Sequence, residues 1–304
     1  MTIEYSALFC IKEVDERGLD FHVGDDVWIQ EIESTGVLLE LRTKLKITNP
    51  DGLNRLMFRQ EHEHYGLYSH RFYFSLDAES LSAPHFLLAE QRIARAIVLS
   101  RIVKPLPIPS VPTIILKEAE AIRVITHCDF YSTAYIRIPN YRETLSRVDV
   151  EEMRKLWPGS ENIYSNRVKY PALHRALHAF NYAYHIDPTH IGHVVLHSAL
   201  EALICTSIYR NKKQVVGRLN QICGVKEEDG EDIYDYCCGV KHAAEPALPN
   251  TVTDEQIHPK DLRRMRAGNM LDESLRYIFR KALEDESFAN LLEDKSLLEK
   301  TYPV

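Results

Sequence analysis

Residues 193–204 read HVVLHSALEALI, a stretch that predicts a long helix with one buried side. Leu196, Leu200 and Leu203 recur at intervals of three or four residues, which is the spacing of a single helix face. The wider apolar segment 193–209 is interrupted by polar side chains and is too short to span a bilayer. We therefore read this segment as the centre of a soluble helical domain.

After about residue 142, the sequence pattern predicts further helices on both sides of this segment. Pro158-Gly159 and Asp187-Pro188 are typical of breaks between helices. The charged end of the chain, 284–304, is expected to fray, and 291–304 is assigned to a charged tail outside the domain. The predicted helices are 150–157, 170–185, 189–209, 212–223, 231–239 and 258–283.

The region 1–142 carries mainly strand signals and predicts an α+β domain with an antiparallel sheet. Apolar and polar residues alternate there, and a single helical pattern at 78–103 ends before a run of prolines. The fold prediction is therefore an N-terminal α+β domain at 1–142 followed by an all-helical bundle at 143–290. The predicted strands are 3–10, 36–48, 68–76, 112–116, 122–127 and 131–138.

Composition and charge exclude some classes of protein. The 304 residues carry a net charge of −7, which argues against a chain that coats duplex DNA by bulk charge. The acidic stretch 1–40 accounts for this charge, so the rest of the chain is nearly neutral and can still meet anions. The six cysteines lack Cys-x-x-Cys spacing and the start lacks a signal peptide pattern. We expect a cytoplasmic protein with no membrane partner.

Common catalytic and nucleotide-binding motifs are absent from the sequence. It contains no Gly-x-Ser-x-Gly elbow, no Gly-x-x-x-x-Gly-Lys phosphate loop and no Gly-x-Gly-x-x-Gly fingerprint. We predict no cofactor.

A histidine-rich pair of helices offers one candidate site. His174 and His178 are four residues apart on one predicted helix, and His193 and His197 are four apart on the next, with Glu201 four further on. Residues at this spacing share a helix face, so two antiparallel helices could close a metal site. Alternatively, these histidines border the apolar faces of the helices and hydrogen-bond locally.

A second candidate lies further along the chain. The basic stretch 210–223 reads RNKKQVVGRLNQIC, the segment 233–243 reads IYDYCCGVKHA, and a basic helix follows. These basic runs are either solvated helix faces or contacts to RNA. The candidate RNA-contacting residues are Arg210, Lys212, Lys213, Arg218, Arg263 and Arg264.

Residues of about 145–290 resemble the HEPN superfamily, most closely its ApeA-like branch. Leu200-Glu201-Ala202-Leu203 matches the Leu-Glu-x-Leu helix of that branch, and Arg218 matches its arginine-bearing helix. The spacing from Tyr234-Asp235 to His242 matches the segment Tyr-Asp-x-Arg-Ser-x-x-x-His-Gly, and 265–283 resembles the closing helix.

The resemblance implies a metal-independent RNA-cleaving fold found in bacterial defence and toxin systems, with an Arg-x4–6-His motif at a dimer interface. Histidine would move protons, and arginine would stabilise the charge that develops on phosphorus. It therefore also implies a homodimer through the helical domain and RNA as a partner.

This sequence departs from the family motif at its arginine. Cys237 stands at that position and Cys238 replaces the serine, and a thiol cannot supply a guanidinium charge. The candidate catalytic residues are His242, Glu201 and Lys241, the nearest cation. We expect RNA contact with weak or lost ribonuclease activity.

Two other functions stay open at this point. The bundle could be a non-enzymatic dimerisation scaffold, with Glu201 merely paired to Arg218 or to buried backbone. The third hypothesis is a metal-dependent enzyme that uses the histidine-rich helices.

Overall fold

The computed structural model describes residues 2–9, 20–24, 27–31, 70–77, 83–105, 113–117, 120–125, 145–184, 186, 189–207, 209, 211–242 and 259–304. Its strands are β1 (Thr2–Phe9), β2 (Asp20–Gly24), β3 (Val27–Glu31), β4 (His70–Asp77), β5 (Thr113–Lys117) and β6 (Glu120–Ile125). Its helices are α1 (Ala83–Val103), α2 (Arg147–Ser165), α3 (Pro171–Ala183), α4 (Thr189–Ile204), α5 (Asn211–Cys223), α6 (Glu227–Lys241), α7 (Pro259–Glu284), α8 (Glu286–Glu293) and α9 (Lys295–Thr301).

The described strands form an antiparallel sheet in the order β2-β3-β4-β1-β5-β6. Tyr5 of β1 lies opposite Phe74 of β4 on one side and Ile115 of β5 on the other. Strand β1 is therefore an inner strand. Val27 and Ile29 are buried while Trp28 between them is exposed, because successive side chains of a strand point to opposite faces. The antiparallel sheet predicted for the N-terminal region is confirmed.

Most predicted strands are found close to their expected positions. Strands β1, β4, β5 and β6 match predicted strands with ends shifted by one or two residues. The strands β2 and β3 were not predicted, and both lie in the acidic part of the chain. The predicted strands at 36–48 and 131–138 lie outside the described residues.

The described residues cluster into two compact units. The first contains the six strands, α1 up to Ser100 and α2 up to Trp157. The second contains the last residues of α1, α2 from Pro158 onward and the remaining helices. We call the second the helical unit; the domain boundary expected near residue 142 stays a prediction.

The helical unit is built around α4. Helix α3 packs against it, and α5, α6 and α7 also contact it. Leu173, Leu177 and Leu200 are buried, as their helical spacing predicts. Phe180 of α3 meets Phe279 of α7 edge-on, with ring centroids 5.2 Å apart, so the core is closed by an aromatic contact between these helices.

The break predicted at Pro158-Gly159 is not found. Helix α2 continues through both residues, with Pro158 on its exposed side. A Cβ atom added at Gly159 would lie 1.9 Å from the carbonyl oxygen of Leu283. The glycine therefore permits close approach of α2 to the end of α7, and its role is packing within the helical unit.

The expectation that 284–304 frays is also corrected. Asp285 begins α8 by accepting from the N–H of Ser287, and Asp294 begins α9 by accepting from the N–H groups of Ser296 and Leu297. Carboxylate caps of this kind satisfy the free N–H groups of the first helical turn. The buried residues on these two helices are Phe288, Ala289, Leu292 and Leu298.

Within the described part of the chain, no helix has both the length and the apolar character needed to cross a membrane.

The role of Gly159 predicts opposite effects for two neighbouring substitutions. Gly159→Ala places a methyl group against backbone and should lower the free energy of unfolding by about 2 kcal/mol or more. Pro158→Ala removes a helix-breaking residue from an exposed position and should leave stability unchanged or raise it. Urea unfolding of both variants tests this; equal tolerance of the two substitutions would show that Gly159 is not needed for the close approach of α2 to α7.

Candidate functional site

Glu201 lies three residues before the end of α4, among polar side chains. His197, one turn earlier, places its Nδ1 3.6 Å from Glu201 Oε2. Asn211, the first residue of α5, donates from Nδ2 to Glu201 Oε1 over 3.2 Å. The four-residue spacing puts His197 and Glu201 on one helix face, and the turn into α5 brings the amide to the same carboxylate.

Helix α6 completes this group of side chains. The Tyr234 ring lies edge-on to His197, with centroids 5.5 Å apart, and Cys238 follows Tyr234 one turn later on the same helix. Burial, the Cys238 contact and the charge of Glu201 raise the pKa of Tyr234 to about 12. We call these five residues the Glu201 cluster: His197, Glu201, Asn211, Tyr234 and Cys238.

His197 is held neutral inside this cluster. The residue is only 2% exposed, and burial lowers its pKa even though the carboxylate of Glu201 acts in the opposite direction. The positive charge of Lys241 lowers the pKa further. At pH 7 the imidazole of His197 is therefore uncharged beside the side chain of Glu201.

Two polar atoms of the Glu201 cluster have no partner among the described residues. These are the buried His197 Nε2 and Asn211 Oδ1. A buried polar atom without a hydrogen bond costs about 1–3 kcal/mol, so such atoms are expected to meet water or a ligand. The cluster can accept hydrogen bonds and exchange protons. Its five residues provide no cation.

The position of the motif arginine faces the core. Cys237 is 1% exposed, and its thiol points to the carbonyl oxygen of His193 over 3.9 Å. Burial raises the pKa of this thiol well above its ordinary value, so it stays neutral. The neighbouring Tyr236 carries the guanidinium of Arg264 over its ring at 5.6 Å. The guanidinium of Arg264 is itself buried against Tyr236.

His193 is a core histidine. Its Nδ1 lies 2.9 Å from the hydroxyl oxygen of Tyr236, and burial lowers the pKa of His193 to about 4. A Cβ atom added at Gly268 of α7 would lie 2.3 Å from the imidazole ring, so a glycine is needed where α7 passes over it. The local hydrogen bonding considered from the sequence is found here.

The two histidine pairs do not form a metal site. The rings of His174 and His178 contact each other and Tyr164, while His193 and His197 contact α6. The described residues contain no group of three or more His, Cys, Asp or Glu side chains placed to hold a metal ion. The four histidines are therefore not brought together as one set of ligands, because each pair contacts neighbours of its own; the metal-dependent enzyme stays a prediction.

Two of the predicted RNA-contacting cations, Lys212 of α5 and Arg263 of α7, are engaged by acids of α6. Asp229, Asp232 and Asp235 stand three residues apart on α6, and we call them the acidic ladder. Asp235 accepts from Lys212 over 2.9 Å, Asp232 pairs with Arg263, and Asp229 pairs with Arg266 over 3.0 Å. A phosphate group would have to compete with these carboxylates.

Arg218 is fully buried and is corrected as an RNA contact. It donates to the carbonyl oxygens of Ile204 and Tyr302, to the side-chain oxygen of Gln214 and to Glu299. Arg264 is likewise buried and paired with Asp261 at 2.9 Å. Both arginines act within the protein, because their guanidinium groups face helix ends and aromatic rings.

The remaining candidates are exposed or fall outside the described residues. Lys213, Lys241 and His242 are exposed, and in the described ranges none of them forms a side-chain hydrogen bond or ion pair. His242 ends α6 through its backbone N–H, and its side chain forms no hydrogen bond or ion pair with Glu201 in the described residues. Arg210 lies outside the described residues. The predicted set therefore does not converge: Glu201 lies beside His197 as their spacing predicts and also meets Asn211, which the sequence did not single out, while no hydrogen bond or ion pair joins it to His242.

No family model, curated protein or solved structure matches this chain.

The network around Arg218 predicts a large loss of stability on its removal. Arg218→Met leaves carbonyl and amide oxygens unsatisfied and should lower the free energy of unfolding by about 3 kcal/mol. Arg266→Met removes an exposed ion pair and should cost less than about 1 kcal/mol. Urea unfolding measures the loss of stability in both variants. Similar losses would show that the buried hydrogen bonds of Arg218 contribute no more to stability than an exposed ion pair.

The electrostatics of the Glu201 cluster predict shifts in the pKa of His197. Glu201→Gln removes a negative charge that stabilises the protonated imidazole, so it should lower the pKa of His197. Lys241→Gln removes a positive charge that destabilises the protonated imidazole, so it should raise this pKa. Titration of the histidine ring nitrogens by NMR measures both. Lys226→Gln, at the opposite end of α6, is the control, and a shift of the same sign in both test variants would contradict the assignment.

Proposed function

We propose that residues of about 145–290 form an ApeA-like HEPN domain that no longer cleaves RNA and serves as an interaction module. The single observation that carries this proposal is the buried, neutral Cys237 at the position of the motif arginine. Cleavage at a 2′-hydroxyl needs a cation over the phosphate, and a buried thiol that faces a carbonyl oxygen cannot act as one.

The acidic ladder supports the same proposal. Its carboxylates engage Lys212, Arg263 and Arg266, so this side of the helical unit offers a phosphate backbone little free positive charge. Ion pairs on a surface are weak individually, but a phosphate would meet the carboxylates as well as the cations. Protein surfaces with both signs of charge suit a protein partner better than a polyanion.

The partner that we propose is a second copy of this chain, bound through the helical unit. Large apolar side chains are exposed on three of its helices, namely Tyr182 on α3, Ile191 on α4 and Tyr277 on α7. Burial of such residues is the usual source of affinity in a homodimer. A cytoplasmic, reducing setting belongs to this proposal, because Cys205, Cys223, Cys237 and Cys238 are free thiols.

A second candidate function is RNA contact without cleavage. It is favoured by Lys213 and Lys241, which are exposed and have no carboxylate partner in the described residues. Two such cations would give weak binding that depends strongly on salt.

Two measurements on the full chain test the first proposal. Incubation with tRNA and mRNA at neutral pH should give no cleavage, and light scattering after gel filtration should give a dimer. Cleavage that is lost in His242→Ala would overturn the proposal, and a clear monomer would remove the dimer.

Fluorescence anisotropy with single-stranded RNA at low salt tests the second candidate. Binding that weakens by about tenfold or more in the double variant Lys213→Gln, Lys241→Gln would favour RNA contact. Lys226→Gln is the matched control, since it removes an exposed lysine at the other end of α6.

A further inference from the structure

Glu201 is a largely buried carboxylate that no lysine or arginine of the described residues pairs with. Its side chain is 19% exposed, and the ionisable group beside it is His197, which burial keeps uncharged. Arg218, the partner considered from the sequence, is bound instead to Glu299 and to carbonyl oxygens at helix ends. Buried charges in proteins are normally paired, so this carboxylate is expected to meet a cation that the described residues do not supply.

Two neighbours of this carboxylate carry unsatisfied acceptor atoms. His197 places its Nδ1 3.6 Å from Glu201 Oε2, and a carboxylate accepts hydrogen bonds without donating, so the proton of the imidazole is favoured on Nδ1. The buried Nε2 is then an acceptor without a partner in the described residues. Asn211 donates from Nδ2 to Glu201, and its buried Oδ1 is likewise without a partner there. Both atoms therefore require a hydrogen-bond donor.

A primary ammonium group supplies both missing features. It carries one positive charge and three N–H donors, so it can neutralise the carboxylate and still donate to two further acceptors. A metal ion suits the site less well, because the described residues contain no group of three or more His, Cys, Asp or Glu side chains placed to hold one. A quaternary ammonium group carries the charge but has no N–H to donate.

We propose that the Glu201 cluster binds a primary ammonium group, either of a free alkylamine or of a lysine side chain on a protein partner. The nitrogen lies at the partly open carboxylate of Glu201 and donates to Asn211 Oδ1 and His197 Nε2. The alkyl chain lies against the half-buried ring of Tyr234. This inference does not rest on the HEPN-like interpretation, because it uses neither Cys237 nor His242.

A lysine nearby acts on the same place with the opposite sign. Lys241 is exposed at the end of α6, and its positive charge lowers the pKa of His197. The same charge would repel a cation bound beside that imidazole. Loss of the Lys241 charge should therefore strengthen binding of an amine, whereas loss of the Glu201 charge should weaken it.

An NMR titration of the full chain with isotopically labelled histidines tests the proposal. Butylamine in phosphate buffer at neutral pH should shift the ring-nitrogen signals of His197 until they saturate, with a Kd on the order of 1 mM. His178, which contacts His174 on α3, is the internal control and should keep its signals. Butyltrimethylammonium should bind at least about tenfold more weakly, because it has the charge but no donor.

A blocked lysine, acetyl-lysine methylamide, distinguishes the two sources of the ammonium group. Tighter binding than butylamine indicates a lysine side chain on a protein. Equal or weaker binding indicates a free amine.

Two variants with opposite expected effects locate the site. Glu201→Gln should weaken butylamine binding by about tenfold, and Lys241→Gln should tighten it by about twofold or more. Glu273→Gln and Lys226→Gln remove exposed charges elsewhere in the helical unit and should leave binding unchanged. The proposal would be overturned by the lack of a saturable shift of His197 up to about 50 mM amine, by equal binding of the quaternary analogue, or by binding that Glu201→Gln leaves unchanged. The ribonuclease and dimer assays are independent of all three results.

Discussion

The buried guanidinium of Arg218 is the interaction on which the helical unit depends. It joins the end of α4 through Ile204, its own helix through Gln214, and the C-terminal segment through Glu299 and the carbonyl oxygen of Tyr302. A buried cation is strongly unfavourable unless paired and fully hydrogen-bonded, so these elements are stable only together. Arginine suits this position better than lysine because its planar donors reach several acceptors at once.

This constraint shapes the polar groups around the end of α4. Fixing the end of α4 also fixes Glu201 one turn earlier, and the turn that follows carries Asn211 to the same carboxylate. Gln214, bound by Arg218, in turn sets the backbone of Ser207 and Tyr209. The Glu201 cluster and the connection from α4 to α5 therefore share one rigid support.

Helix positions could be predicted from the sequence because apolar spacing follows helical geometry, whereas side-chain partners depended on packing. Arg218 lies in a basic run, yet it stands three residues after Val215 and four before Ile222, both buried. That periodicity was the available signal for a buried arginine. The pair Asp232 and Arg263 joins residues 31 apart, and no local pattern specifies such a contact. The same holds for Tyr234 beside His197, which needs α6 to pack on α4.

The distribution of charge on α6 bears on what the Glu201 cluster can do. A carboxylate and a neutral imidazole can pass a proton between them, but cleavage of a phosphodiester also requires a fixed cation close by. Position 237 faces the core, where the thiol of Cys237 points to the carbonyl oxygen of His193. A guanidinium there would need further acceptors, but the imidazole of His193 and the hydroxyl of Tyr236 are already hydrogen-bonded to each other. Lys241 and His242 lie at the exposed end of the helix, and Lys212 of α5 and Arg263 of α7 are paired with the acidic ladder. None of the five residues of the Glu201 cluster is a cation, and this supports the proposed role in recognition over one in cleavage.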